Sequence, residues 1–142
     1  RFVESYCKLL LSGKNIRFEF NLAHRDGLRV LCDRDMVEGI FRNLISNAYK
    51  FTPEGGVVTL SSNQCPGGWC FDVIDSGRGM STDEIDLVNR GVSFSKEGTN
   101  HEKGNGLGIQ LVHEFLSHHN TQLKVQSTPG QGSVFSFSLP LV

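Results

Sequence analysis

Asp75 and the two glycines after it have the residue types of a site for a flat ligand that carries an amine. The segment Phe71–Ile74 is predicted to be a strand that runs into Asp75, and Gly77 and Gly79 follow at alternate positions. A carboxylate there accepts a hydrogen bond from an exocyclic amine such as that of adenine, and glycines let the backbone approach the ring. An Asx turn closing a hairpin explains the same residues equally well.

A second group consists of the glycines in Gly104–Gly108, which immediately precede a helical pattern over Leu107–Leu116. Unpaired amide groups and the positive end of the helix dipole at such a position bind anions, for example a triphosphate. Tight turns and flexible linkers use the same residues, so the run alone is weak evidence. The polar, glycine-containing stretch from Met80 to Lys103 is interpreted as a mobile lid.

The third group is Asn43 and Asn47, which lie one helical turn apart on a predicted helix, with Lys50 on the next turn. Amide oxygens are suitable ligands for a hard cation. Magnesium takes few protein ligands and keeps phosphate and water oxygens, so one asparagine with a nucleotide would complete a shell. A solvated helix surface is the alternative interpretation of this pair.

Apolar periodicity predicts the elements that position these groups. Predicted helices cover Arg1–Leu11, Asp35–Lys50, Ser81–Asn89 and Leu107–Leu116; predicted strands cover Ile16–Leu22, Leu28–Cys32, Val57–Ser61, Trp69–Ile74, Leu123–Gln126 and Val134–Leu139. Asp35 with Glu38, and Ser81 with Glu84, are expected to cap two of the helices. Hairpin-like turns join most strands. The predicted fold is α+β, a two-layer α/β sandwich with a mixed, mostly antiparallel sheet and about three helices on one face.

Composition restricts the class of protein. The 142 residues include 14 Lys and Arg against 15 Asp and Glu, with 38% hydrophobic residues, which indicates one soluble globular domain without a nucleic-acid-binding surface. No apolar run approaches the roughly 20 residues of a membrane span, so this segment is predicted to be cytoplasmic and outside the membrane. The spacing of Cys7, Cys32, Cys65 and Cys70 fits neither a zinc site nor a disulfide framework, and free thiols are expected.

Four ordered segments closely resemble the catalytic ATP-binding domain of sensor histidine kinases. They are Asn43–Pro53, Asp75–Gly79, Gly104–Ile109 and Pro129–Pro140, and the likeness extends over Asp33–Pro140. The resemblance implies the Bergerat fold, which gyrase-type topoisomerases, MutL and heat-shock ATPase chaperones share. Asn120 and Thr121 stand where that family often has two glycines, and asparagine tolerates the left-handed backbone of such a turn.

The resemblance also implies roles for individual residues, with ATP and magnesium as the cofactors. Asn47 would ligate magnesium, while Asn43 and Lys50 would be catalytic and approach the phosphates. The other implied ATP contacts lie around the adenine (Phe51, Asp75, Gly77, Gly79, Ser133), in the lid (Phe94), and along the phosphates and glycine run (Lys103, Gly104, Gly106, Leu107, Gly108). The lid segment Ser95–Lys103 matches the family weakly.

Position 43 decides among the functions that this fold supports. Hydrolytic relatives usually carry there a glutamate that activates water, whereas this chain carries Asn43. Phosphoryl transfer needs positioning and charge neutralisation more than a strong base. The resemblance therefore implies a protein-histidine kinase that donates the γ-phosphate to a histidine for relay to a response regulator receiver domain.

The chain's own five histidines are interpreted as solvated or packed side chains, and none as the acceptor. The chain starts inside a helical pattern without a methionine, so a fragment is expected. Residues 1–13 would be a helical linker from an upstream histidine-bearing dimerisation domain, and residues 14–142 the catalytic domain. Such a fragment would bind ATP and transfer nothing by itself.

Two other classes stay open. A clamp ATPase or a serine kinase would share the fold but would usually carry the glutamate at position 43. A regulatory module that binds a nucleotide without catalysis need not keep the magnesium asparagine together with the phosphate glycines.

Overall fold

The computed structural model describes residues 1–11, 13–92, 98–99 and 107–142. Within them the chain forms four helices and five strands. In chain order these are α1 (Phe2–Leu10), β1 (Arg17–Leu22), α2 (Arg34–Phe51), β2 (Val57–Cys65), β3 (Gly68–Asp75), α3 (Thr82–Asn89), α4 (Gly108–His118), β4 (Lys124–Thr128) and β5 (Gly132–Leu139). None of the described helices combines the length and the apolarity that crossing a bilayer demands.

The strands form one sheet in the order β1-β2-β3-β5-β4. β1 runs parallel to β2, and every other neighbouring pair is antiparallel. Alternate residues of β3 and β5 face the helices, where Val73 and Phe137 pack with Ile40 and Leu44 of α2 and Leu116 of α4. The predicted two-layer α+β fold with a mixed, mostly antiparallel sheet is confirmed.

α2 begins one residue earlier than the sequence pattern indicates. Its N-cap is Asp33, whose carboxylate accepts a hydrogen bond from the Met36 backbone N–H at 3.0 Å. The expected Asp35–Glu38 cap is therefore wrong, and Glu38 instead accepts from Arg34 at 2.9 Å. The cap expected at α3 is confirmed, because the Ser81 hydroxyl accepts from the Glu84 N–H.

The predicted strand at Leu28–Cys32 is wrong. This segment makes only an isolated bridge, between Val30 and Leu141. Its partner is the segment after β5, where the Leu31 N–H donates to the Pro140 carbonyl and the Val142 N–H donates to the Arg29 carbonyl. The prediction for Asn120 agrees with the structure, since its φ of 54° is left-handed at the turn after α4.

The expectation of free thiols is wrong for Cys65 and Cys70, which form a disulfide, and holds for Cys7 and Cys32. Cys65 ends β2 and pairs with Gly68, while Cys70 pairs with Asn63. The two cysteines are therefore diagonal neighbours on one face of the hairpin, with their Cα atoms 5.8 Å apart. A search for metal-type spacings could not detect this, because the contact depends on the hairpin register.

Candidate functional site

A polar row crosses three strands at one end of the sheet. Asp75 of β3 lies opposite Ser133 of β5, and Ser133 lies opposite Ser127 of β4. The adjacent row on the same face is apolar, with Val73, Phe135 and Val125 in the corresponding positions. We define the three polar residues as the polar row. They mark where polar side chains replace apolar ones on the face of the sheet that carries the helices.

Asp75 is a buried carboxylate with acceptor capacity to spare. Its side chain is 7% exposed, and its Oδ1 accepts from the Gly77 backbone N–H at 2.9 Å, which is an Asx turn, the alternative interpretation of the sequence. Burial raises the pKa of Asp75, and backbone hydrogen bonds from Gly77 and Ser133 partly oppose that rise. An ionised carboxylate has about four acceptor positions, so these two donors leave room for a ligand amine. The turn and the ligand interpretation are therefore compatible.

The glycines after Asp75 are required by close packing of the backbone. A Cβ at Gly77 would collide with the carbonyl oxygen of Phe51 and would lie 2.7 Å from Oδ1 of Asp75. Gly79 has a φ of +68°, and a Cβ there would collide with the Thr128 carbonyl. The loop after β3 thus fits tightly between the end of α2 and the end of β4.

Two cations lie near the aromatic ring of Phe51, the last residue of α2. Nζ of Lys50 is 5.1 Å from the ring centroid, and Cζ of Arg78 is 4.7 Å from it. The Arg78 backbone N–H also donates to the Phe51 carbonyl at 3.3 Å. Positive charge is therefore held beside the polar row, where it can attract an anionic ligand.

Donors from two other segments bind the carbonyl groups that end α2. The buried ammonium of Lys14 donates to the carbonyls of Tyr49 at 3.0 Å and Lys50 at 3.2 Å. The Thr99 N–H donates to the Lys50 carbonyl at 3.0 Å, and its hydroxyl donates to the Thr52 carbonyl at 3.1 Å. These contacts fix the backbone from which the Lys50 and Phe51 side chains extend.

The start of α4 meets the middle of α2. A Cβ on Gly108 would lie 2.8 Å from Oδ1 of Asn43, whose Nδ2 donates to the Gly39 carbonyl at 2.8 Å. Leu107 is the N-cap of α4 and is 46% exposed, without a side-chain capping hydrogen bond. The positive end of the α4 dipole therefore lies next to the Asn43 amide oxygen.

α2 connects the two halves of this candidate site. Asn43 lies at the α4 start, Asn47 lies one turn further along, and Lys50 and Phe51 lie at the loop after β3. From Asn43 to Phe51 the helix rises about 12 Å. The structure thus brings together the residues that the sequence predicted in four separate segments: Asn43, Asn47, Lys50, Phe51, Asp75, Gly77, Gly79, Leu107, Gly108 and Ser133.

Four other predicted ATP contacts, namely Phe94, Lys103, Gly104 and Gly106, lie outside the described residues. Sequence reasoning missed Ser127 and the stacking of Arg78 on Phe51. Ser127 could have been found from its position, because Ser127 and Ser133 are equally far from the turn at residues 129–131. Residues at equal distances from a hairpin turn pair with each other if β4 and β5 form a hairpin. The signal for Arg78 was its position between the two loop glycines.

Most of the chain matches a known protein family. Residues 32–142 match the family described as Histidine kinase-, DNA gyrase B-, and HSP90-like ATPase. The chain belongs to this ATPase family. The resemblance to the catalytic ATP-binding domain of sensor histidine kinases is therefore confirmed, and this ATPase domain has histidine kinases as its relatives.

Curated relatives of this ATPase domain are much longer than the chain. Sporulation kinase C of Bacillus subtilis is 34% identical over 127 residues, which cover 89% of this chain and 28% of that protein. The sensor histidine kinase TmoS of Ectopseudomonas mendocina is 38% identical over 112 residues, which cover 77% of this chain and 11% of that protein. The chain thus spans less than a third of either relative.

Solved structures confirm the fold of this ATPase domain. The mycobacterial sensor histidine kinase MprB aligns with a TM-score of 0.80 at 23% identity, covering 99% of this chain and 92% of that one. Full-length ShkA in complex with AMPPNP aligns with a TM-score of 0.80 at 26% identity, covering 99% of this chain and 29% of that one. The latter neighbour was solved with a bound ATP analogue.

Proposed function

We propose that this chain is the catalytic domain of a two-component sensor histidine kinase in the cytoplasm. It binds Mg-ATP and donates the γ-phosphate to a histidine on a separate dimerisation domain of the same protein. A response regulator receiver domain then accepts the phosphate. The family match and the histidine kinase relatives support this proposal.

The observation that carries the proposal is the chemistry of Asn43. Its amide is neutral, and its Nδ2 is bound to the Gly39 carbonyl, which directs Oδ1 towards Gly108. An amide cannot take a proton from water as a carboxylate does. Hydrolytic members of the fold usually carry glutamate here, as the sequence resemblance implies. Nδ2 has a second hydrogen, which can donate to a phosphate oxygen, so Asn43 is suited to help hold a phosphate group in place for an external acceptor.

The direction of the nucleotide follows from where acceptors and cations lie. Asp75 supplies a buried acceptor for the adenine amine, and Phe51 supplies an aromatic surface beside it. Lys50 and the N-terminus of α4 supply positive charge for the phosphates. Lys103, Gly104 and Gly106, which lie outside the described residues, are proposed to contact the phosphates as well. The nucleotide would therefore extend along α2 from Phe51 towards Asn43.

Asn47 is the proposed protein ligand of magnesium. Among the described residues, no cluster of three or more His, Cys, Asp or Glu side chains could hold a metal ion. An amide oxygen of Asn47 together with phosphate oxygens fits magnesium, which takes few protein ligands. The ion would neutralise charge on the triphosphate.

The proposal assigns residues 14–142 to the catalytic domain and residues 1–13 to a linker from the dimerisation domain. α1 buries Cys7 in the same core, and the Arg42 guanidinium of α2 lies 5.5 Å from the Phe2 ring centroid. These contacts support a linker that is docked on the ATPase domain. A motion of α1 would then reach α2, which carries Asn43 and Asn47.

Transfer to a separate acceptor tests this function. The chain is mixed with γ-labelled ATP, magnesium and the histidine-bearing domain encoded upstream in its parent protein. We expect acid-labile label on that domain, and none on the chain itself. An acceptor whose histidine is replaced by glutamine should stay unlabelled, as should the wild-type acceptor mixed with Asp75→Asn chain. Release of free phosphate without labelling of the acceptor would instead support the hydrolytic class.

A further inference from the structure

Ser127, the outermost member of the polar row, is a hydrogen-bond hub. Its Oγ accepts from the Met80 backbone N–H at 2.8 Å and donates to the Gly132 carbonyl at 2.9 Å. It also lies 2.8 Å from Oγ of Ser133. One hydroxyl therefore connects the loop after Gly79, the turn between β4 and β5, and the serine beside Asp75.

The number of hydrogens fixes the direction of the bond between the two serines. A hydroxyl has one hydrogen and two lone pairs. Because Ser127 gives its hydrogen to Gly132, the hydrogen between the serines must come from Ser133. The oxygen of Ser133 is then left with lone pairs only, and it can accept but not donate towards the site.

Ser133 and Asp75 lie directly opposite each other across β5 and β3, and each is 7% exposed. Opposite residues of an antiparallel pair have Cβ atoms about 5 Å apart. The Asp75 carboxylate and the Ser133 oxygen are thus two neighbouring acceptors. A ligand group with two N–H bonds matches this pair, whereas a ligand carbonyl would face two lone-pair-bearing oxygens.

We propose that Ser127 is a positioning residue that makes the site select 6-amino purines over 6-oxo purines. It does so by holding Ser133 as an acceptor beside Asp75. The inference deepens the proposed function, because it requires that the nucleotide base binds at Asp75. Without Ser127 the Ser133 hydroxyl can rotate and donate to a 6-oxo group, so rejection of that group weakens.

The test compares the affinities of the chain for ATP and inosine triphosphate, each with magnesium, by titration calorimetry. In Ser127→Ala we expect the preference for ATP to fall by about three- to tenfold, the value of one neutral hydrogen bond. Ser127→Thr keeps the hydroxyl and should keep the preference. Ser136→Ala is the matched control, since Ser136 lies on β5 three residues from Ser133 and on the opposite face of the sheet.

Equal weakening of both nucleotides in Ser127→Ala would overturn the proposal, because it would indicate a structural role only. If that variant does not fold, Ser133→Ala removes the acceptor itself and keeps the Met80 and Gly132 bonds of Ser127. It too must reduce the preference for ATP, and an unchanged preference would overturn the proposal. Wild-type chain that binds neither nucleotide would contradict the proposed function instead, as would unchanged ATP affinity in Asp75→Asn.

Discussion

Asn43 and Gly108 hold α2 and α4 in a contact that leaves no room for a methyl group. A Cβ at position 108 would lie 2.8 Å from Oδ1 of Asn43, and real Cβ atoms essentially never approach another heavy atom within 3.0 Å. Displacing the Asn43 side chain would disturb the hydrogen bond that its Nδ2 donates to the Gly39 carbonyl. Residues from two motifs that are far apart in the sequence thus meet in one contact.

Substitution of Gly108 by alanine tests this contact. In the middle of a helix alanine is more favourable than glycine by about 0.5–1 kcal/mol, and we expect a smaller gain at Gly108, the first residue of α4. In the wild-type background we expect that gain to be lost, because the new methyl displaces Asn43. In the Asn43→Ala background the gain should return. Urea unfolding of the four chains gives the coupling between the two positions.

The same series should separate stability from binding. Gly108→Ala alone is expected to weaken binding of an ATP analogue, since Asn43 no longer lies where the phosphates are proposed to be. Additive stabilities, with the same gain in both backgrounds, would mean that Asn43 accommodates the methyl at no cost. That result would remove the contact as a reason for glycine at position 108.

Asp75→Asn should change how stability depends on pH. A raised carboxyl pKa means that the folded chain binds this proton more tightly than the unfolded chain. The stabilisation is therefore complete below the ordinary aspartate pKa and is lost as the pH rises through the raised one. We expect the stability of Asp75→Asn, relative to the nucleotide-free wild type, to increase from acid to neutral pH. Denaturant unfolding at several pH values measures this difference.

The same variant should lose nucleotide binding at neutral pH, because an amide offers N–H groups as well as an oxygen to the adenine amine. If Asp75→Asn loses nucleotide binding while its relative stability rises with pH, the loss of binding cannot be explained by unfolding of the variant. A relative stability that falls with pH would contradict the assignment of Asp75 as a carboxylate with a raised pKa.

Asn47 and Asn43 should differ in how magnesium affects their variants. Asn47→Ala is expected to bind an ATP analogue with the same affinity in magnesium and in EDTA, because its proposed metal ligand is absent. Asn43→Ala, one turn earlier on α2, should bind more weakly but keep the dependence on magnesium. Calorimetric titration in both buffers measures these affinities. If only Asn43→Ala lost the dependence on magnesium, Asn43 and not Asn47 would be the magnesium ligand.

Local sequence patterns predicted the helices and most strands because each carries its own periodicity. α2 shows this well, since its apolar stripe and the Asn43, Asn47 and Lys50 positions all follow from helical spacing. Leu28–Cys32 shows the limit of such patterns. Its apolar residues resemble a strand, but whether a strand forms depends on a partner that lies more than 100 residues later in the chain.

Contacts in the candidate site could be predicted from the sequence where both residues lie in one motif. They could not be predicted where the contact depends on the register between two strands. Asp75 and Gly77 are two residues apart, so their hydrogen bond is local. Ser127 becomes part of the site only because β4 and β5 pair in a register that sets it opposite Ser133. The Cys65–Cys70 disulfide was missed for the same reason, since a shift of one residue would place the two sulfurs on opposite faces.

The most direct test of the central claim is ATP turnover by the chain alone, measured beside equilibrium ATP binding. The account predicts saturable binding of one ATP per chain, with phosphate release no faster than from an Asp75→Asn sample. Asn43 would then hold the nucleotide without activating water. Sustained phosphate release that Asp75→Asn abolishes would contradict this, and would place the chain among the hydrolytic ATPases.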